Sequence, residues 1–278
     1  MSRQAQGLIA INIAAIIFGT AALYGKLNVS PFWIVGMRAL FAAAALLVIA
    51  LWRKQLTRIG KTSSALLFTG IMLSLHWLTF FISVQWSGIA VATLTFAAFP
   101  FFTLIIDALK NRRRLHWIEM AASATIIFAV SLLVKVETTS THVIYGAIAG
   151  VFSALLFAVF GIMSKSLTAS LPTLTVSFYQ NLVVCVSMLP FLPFTVAPSS
   201  NVDWTFLVML GIVTTALMHQ LYFYALQRLS AGTCSGFVAL EPVYAILFSA
   251  LLFNEPLTMA VIVSGVLIVA ASFLILKS

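Results

Sequence analysis

Within the run FVALEPVYAIL (237–247), Glu241 is the one charged residue, and Pro242 follows it directly. A carboxylate in an apolar helix takes up a proton or pairs with an amine. The proline ring removes a backbone hydrogen bond and frees a carbonyl one turn earlier. Carboxylate and loosened helix together suit a proton-coupling site or a gate. Arg38 and the histidines His76 (SLHWLTFF) and His219 (ALMHQLYFY) also interrupt long apolar runs. Histidine titrates near neutrality and can bind a solute or relay protons. A charge in such a segment costs about 2.5–3.5 kcal/mol, so it tends to face protein or a water-filled cavity. The aromatic residues Trp77, Phe81, Tyr179, Tyr222 and Tyr224 offer surfaces on which an organic solute can stack. A structural reading stands beside this one: Arg38 and Glu241 pairing with each other, histidines bonded between helices, and aromatics serving as packing.

The elements that must position these groups are membrane helices. Of the 278 residues, 62% are hydrophobic and 8% charged, and apolar runs long enough to cross about 30 Å of hydrocarbon recur from end to end. Porin-like strands would be shorter and alternating. The fold class is all-α integral membrane, with ten transmembrane helices predicted at 7–26, 33–52, 63–84, 88–108, 115–134, 143–165, 174–194, 204–226, 232–252 and 257–276. The first is a membrane helix rather than a signal peptide, since Asn12 and Thr20 interrupt it and no small-residue cleavage site precedes Lys26.

Charge sets the orientation. With the N-terminus cytoplasmic, twelve cations (Arg3, Arg53, Lys54, Arg58, Lys61, Lys110, Arg112, Arg113, Arg114, Lys165, Arg228 and Lys277) fall inside and two, Lys26 and Lys135, outside. The positive-inside rule then puts both termini in the cytoplasm. The run KNRRR (110–114) lies in a short hairpin that offers no element to read a nucleic-acid groove; it is a topology signal that also meets anionic lipid. Trp33, Trp52, Trp86, Trp117 and Trp204 fall at span ends, as interfacial anchors do, and Trp77 does not. Cys185 and Cys234 lie within spans and make no disulfide framework or metal site.

The chain repeats itself. GLIAINIAAIIFGTAALYGK (7–26) aligns with GAIAGVFSALLFAVFGIMSK (146–165), which matches Phe18 to Phe157 and Lys26 to Lys165. A shift of 142 then pairs Gln85 with Gln227, Pro100 with Pro242 and Ile126 with Ile268. Residues 1–140 and 141–278 read as two five-helix repeats. Five being odd, the copies enter the membrane from opposite sides, an inverted repeat with its solute site near the midplane between the halves. The polar residues break the symmetry: Phe99 and Phe102 stand opposite Glu241 and Tyr244, and Gln180 opposite Arg38. An acid and a base on different sides of an aromatic-walled cavity suit a small amphipathic or zwitterionic solute. The candidate substrate-binding residues are Glu241, Arg38, His76, Trp77, His219, Tyr222, Tyr179, Gln180 and Tyr244. Glu241 is the proton-coupling candidate, and Pro242 and Pro100 are the gate positions.

The segment AGTCSGFVALEPVYAILFSALLFNEPLTMAVIVSGVLIVAAS (231–272) resembles the second half of the EamA family in the drug/metabolite transporter superfamily, with Pro242, Glu255, Leu257 and Gly265 matching its pattern. LHWLTFFISVQWSGIAVATLTFAAFPFF (75–102) is similar to the third and fourth helices of its first half. The resemblance implies a ten-helix bacterial inner-membrane carrier with a central cavity bounded mainly by helices 1–4 and 6–9, in a family whose members export amino acids, other metabolites or toxic organic compounds and some of which import solutes. One departure stands out: thirteen residues after Pro100, where the family repeat often has Glu, this chain has Arg113. Glu241 is outside the matched pattern.

The function expected is secondary transport, in the direction of export, of an amino acid or related amphipathic or cationic metabolite across the bacterial inner membrane by alternating access with proton coupling. A facilitator or exchanger without coupling, and a membrane sensor or scaffold, are the alternatives. No P-loop is present to drive transport with ATP, and no HExxH, GxSxG or paired intramembrane aspartates point to an enzyme, a metal or a cofactor. The expected partners are the solute and membrane lipid, and the working unit is either one chain or a homodimer.

Overall fold

The computed structural model describes residues 2–137 and 140–277, and these form helices joined by short connections. The Lys277 side chain, counted above with the inner cations, lies outside the described residues. Helix α1 (Arg3–Ala21) starts where the Ser2 side chain accepts a hydrogen bond from the Ala5 amide, and a 3-10 turn, Ala22–Lys26, extends it. Helix α2 (Pro31–Trp52) opens with the Ser30 cap and Pro31, whose fixed φ suits a first turn. There follow α3 (Ser63–Phe96), α4 (Phe99–Lys110), α5 (Trp117–Glu137), α6 (Thr141–Ser170) and α7 (Thr173–Met188). Next, α8 (Asn201–Gly211) runs through a π-turn, Ile212–Leu217, into α9 (Met218–Leu226). The chain ends with α10 (Ala231–Val238), α11 (Glu241–Phe253) and α12 (Met259–Lys277).

Among the described residues, eight helical stretches are long and apolar enough to cross a membrane by length and composition, against the ten spans expected. The fourth span is lost from the count for a local reason. Gly88, at φ 81° and ψ 169°, kinks α3 without ending it, so the third span and the start of the fourth merge into one rod. The remainder of the fourth span is α4, too short to count alone. The last span, in α12, stands outside this count because its side chains are described only as far as Leu274.

The predicted fourth and ninth spans are also broken, and at equivalent places. At Ala97–Ala98 and Ala239–Leu240 the ladder tightens, with Ala98 N donating to Thr95 O and Leu240 N to Phe237 O. The half-helices α4 and α11 restart there with Pro100 and Pro242 in their first turns. A proline has no N–H to continue the ladder, so one repeated residue breaks both helices.

The two halves pack by exchange. Helix α1 packs on α9, α10 and α11, whereas α6 packs on α3 and α4; α2 lies against α7, and α5 against α12. The fit repeats in detail. A Cβ on Gly7 would lie 3.0 Å from Arg228 Cβ and Leu229 Cγ, and one on Gly146 would lie 2.7 Å from Ser87 Cβ. Gly7 and Gly146 are repeat partners, as are the two sites they approach. The start of α1 and the end of α6 meet one cavity, lined by Arg3 and Lys165, so these helices run in opposite directions. Large apolar side chains such as Leu51, Phe128, Val186, Leu251 and Val266 cover the outer faces, as a lipid-facing surface requires.

Candidate transport site

Glu241 is the first residue of α11, so its carboxylate sits at the N-terminal end of a half-helix, where the helix dipole favours negative charge. It is 2% exposed, and among the described residues its Oε2 has no hydrogen-bond partner. Helix α2 brings Arg38 to the same place, α3 brings His76, Trp77, Phe80 and Phe96, and α1 brings Phe18 and Ala21. Together these residues enclose a cavity of about 10 Å³, room for a single water. The centre is closed around its polar groups.

The acid and the base share this cavity without touching. Among the described residues the ion pairs within 4.0 Å are Lys26–Glu255, Arg113–Asp107 and Arg113–Glu119. Arg38 and Glu241 are not among them. Arg38 Nε instead donates to Thr215 Oγ1 at 3.0 Å, and its guanidinium lies 3.8 Å from the centroid of Trp77. Trp77 in turn stacks on His219 at 5.4 Å, so cation, indole and imidazole form one column. His219 is fully buried, and among the described residues neither ring nitrogen has a hydrogen-bond partner.

His76 is bonded between helices. Its Nδ1 lies 2.7 Å from Ser153 Oγ and 3.2 Å from Ser153 O, while Ser153 Oγ donates to His76 O at 3.0 Å. A carbonyl only accepts, so Nδ1 carries the hydrogen. The ring packs on Phe96 and Phe157 at 5.1 and 4.9 Å.

The other sequence candidates lie apart from the small cavity. Gln180 is buried and gives its Nε2 to Thr69 Oγ1 and Ser164 Oγ, at 2.9 and 3.0 Å, which ties α7 to α3 and α6. Tyr179 is half-buried against Phe178, and Tyr244 packs where α11 crosses Gly19 of α1. Tyr222 is buried beside Phe18 and Phe157, at 6.2 and 5.8 Å. Pro242 is buried, and Pro100 lines a second, much larger cavity. Among the described residues no three His, Cys, Asp or Glu side chains gather as metal ligands.

That second cavity has a volume of about 1140 Å³ and opens at one end of the bundle, where Arg3, Lys110, Arg113, Lys165 and Arg228 line it with Asp107 and Glu119. Arg113 makes a bidentate pair with Glu119, both contacts at 2.8 Å, and this pairing holds its guanidinium above the usual arginine range. Phe96 faces the small cavity and Pro100, one turn on, the large one. The rings of Phe96 and Phe99 stack at 5.1 Å, and Phe157 meets them edge-on at 5.4 and 5.2 Å. An aromatic layer thus lies at the step between the two cavities.

Sequence reasoning overlooked Thr215 and Ser153. Thr215 is presented by the π-turn, in which its Oγ1 donates to Leu210 O five residues back at 2.7 Å while receiving Arg38. Such π-turns are frequent at functional sites. The pair Thr214–Thr215 inside an apolar span was the available signal.

The family model of the EamA-like transporter family matches residues 5–135 and again 144–277. An uncharacterised transporter of Bacillus subtilis is 25% identical, covering 88% of this chain and 81% of its own. The pseudopaline exporter CntI of Pseudomonas aeruginosa is 25% identical, over 83% of this chain and 81% of its own. A probable terminal-alkyne amino-acid exporter of Streptantibioticus cattleyicolor is 27% identical, over 66% and 63%. A solved crystal structure at 19% identity has the same fold, with a TM-score of 0.73 over 98% of this chain and 96% of that one.

Proposed function

The chain belongs to the EamA-like transporter family, and on that premise we propose that it exports an amino acid or a related amphipathic or cationic metabolite by alternating access, with Glu241 as the proton-coupling group. It is a multi-pass inner-membrane transporter and not an enzyme. In this reading ten spans cross the membrane, both termini are cytoplasmic, and residues 1–140 and 141–278 are the inverted halves that rock about the central site.

The observation that carries the reading is an unpartnered carboxylate oxygen, buried at a half-helix N-terminus, that shares a cavity with an arginine it does not pair with. A zwitterionic solute complements both charges. Once the closed centre opens to admit it, its amine takes the free oxygen of Glu241, its carboxylate meets the Arg38 guanidinium, and Phe18, Trp77, Phe80 and Phe96 line the space around its carbon skeleton. A proton and an amine compete for the same Glu241 oxygen, so each leaves as the other arrives, and this exchange couples proton entry to solute exit. The half-helix starts at Pro100 and Pro242 are the points that move. The names of the pseudopaline and amino-acid exporters support the solute class and the direction.

The test is proton flux in proteoliposomes under a pH gradient, with a panel of amino acids and cationic metabolites, comparing the native chain with Glu241→Gln. Solute-dependent flux in the native chain and its loss in the variant is the expected result. Equal solute movement in both would make Glu241 structural and move the search to Arg38, His76 and Trp77.

A further inference from the structure

The two ends of the bundle carry equivalent positions with different charges. Lys26 and Lys165 close the first helix of each half, Glu255 and Arg113 stand thirteen residues after Pro242 and Pro100, and Ser249 and Asp107 correspond at the shift of 142. At one end Lys26 is paired with Glu255, whose Oε2 also accepts from Ser249 Oγ at 2.6 Å. At the other end Lys165, Arg113 and Asp107 all line the open large cavity. The first end is latched and the second is open.

Inverted halves that exchange roles would close the open end by bringing Lys165 to the place where its counterpart finds a carboxylate. That place holds Arg113, a like charge. Arg113 is, however, already claimed. Glu119 takes it in the bidentate pair, and Glu119 Oε2 also accepts from the His116 amide at 2.7 Å. Asp107 is only lightly engaged. Its side chain is 48% exposed and receives Asn111 Nδ2 at 3.0 Å and Arg113 Nε at 3.4 Å. Lys165 donates at present to Leu229 O, at 2.5 Å, and among the described residues it has no ion-pair partner. Of the other cations lining this cavity, Arg228 is held over the Tyr224 ring at 3.4 Å.

We propose that Asp107 receives Lys165 when the large cavity closes, so that a Lys165–Asp107 latch at this end is the counterpart of Lys26–Glu255 at the other, with Glu119 holding both terminal nitrogens of Arg113 and leaving only its Nε on Asp107. The acid has moved six residues along the repeat, from the place of Glu255 to that of Ser249, and the bidentate clamp takes the shorter contacts of the displaced cation, 2.8 Å against 3.4 Å to Asp107. This deepens the alternating-access reading and rests on it.

The experiment places a cysteine at Ala21, which lines the small central cavity, and measures its labelling from outside intact cells by a membrane-impermeant thiol reagent. The rate is taken above that of the parent chain, whose Cys185 and Cys234 are buried. Glu255→Gln weakens the latched end and should raise the rate. Asp107→Asn and Lys165→Asp should each lower it about two- to five-fold, the population change one exposed ion pair carries. The exchange Lys165→Asp with Asp107→Lys should restore it, which a merely structural role for either residue would not do. A short bifunctional thiol reagent should also join Asp107→Cys to Lys165→Cys, a reading of proximity that is independent of the charge variants. A rate unmoved by Asp107→Asn, or one still low in the exchanged pair, while Glu255→Gln raises it, overturns the latch. No rise with Glu255→Gln defeats the alternating-access reading itself.

Discussion

Phe18 and Phe157, equivalent residues of the two halves, meet edge to face with ring centroids 6.0 Å apart and planes at 85°. A residue that touches its own counterpart lies on the axis relating the copies. The axis therefore passes through the aromatic layer between the two cavities, next to the cavity that holds Glu241 and Arg38. Phe18 lines that cavity, and Phe157 packs against His76 behind it.

The two phenylalanines are not equal in their surroundings. Phe157 also packs on His76, Phe96, Phe99, Phe160 and Tyr222, while Phe18 adds Tyr222. Phe157→Ala is expected to cost about 3–5 kcal/mol, the usual range for a core Phe→Ala change, and Phe18→Ala clearly less. Thermal unfolding of the purified carrier in detergent reads the difference. Equal losses would mean that the ring contacts of Phe157 do not organise the centre.

Thr215 is the side-chain acceptor for Arg38 Nε. Thr215→Val keeps the shape and removes the acceptor, so the buried guanidinium loses a charge-assisted hydrogen bond, worth about 1.5–3 kcal/mol. Thr215→Ser should recover most of that. Unfolding midpoints compared across the three proteins decide it, and indistinguishable Val and Ser variants would show that Arg38 is held by Trp77 alone.

Pro100 and Pro242 occupy first-turn positions, where proline is well tolerated. Alanine there restores an N–H that can reach back across the break. Stability should stay within about 1 kcal/mol of the native chain, while solute flux in proteoliposomes falls as the half-helices fuse. Undiminished flux in both variants would remove the breaks from the transport cycle.

Gly88 has a backbone conformation open essentially to glycine alone, and a Cβ added there would meet nothing within 4 Å. Gly88→Ala should therefore cost about 1–3 kcal/mol through backbone strain and not through packing. Lowered unfolding temperature is the expected reading. A neutral result would mean that the kink relaxes without loss.

Much of the architecture was legible in the chain itself. Length and apolarity of the runs pointed to membrane helices, and two nearly equal shifts pointed to two copies, 139 pairing Lys26 with Lys165 and 142 pairing Pro100 with Pro242. Cation placement separated one end of the bundle from the other. These are one-dimensional properties, and one dimension suffices to read them. Which polar side chains share a cavity was decided only by the tertiary structure. Arg38 finds Thr215 across 177 positions and His76 finds Ser153 across 77, while Gln180, repeat partner of Arg38, is drawn off to Thr69 and Ser164. The physical reason is that a helix apolar on every side has no amphipathic stripe to reveal which face turns inward. Its rotation is set by neighbours packing against it, and here a π-turn and two proline breaks alter that rotation midway along the helix.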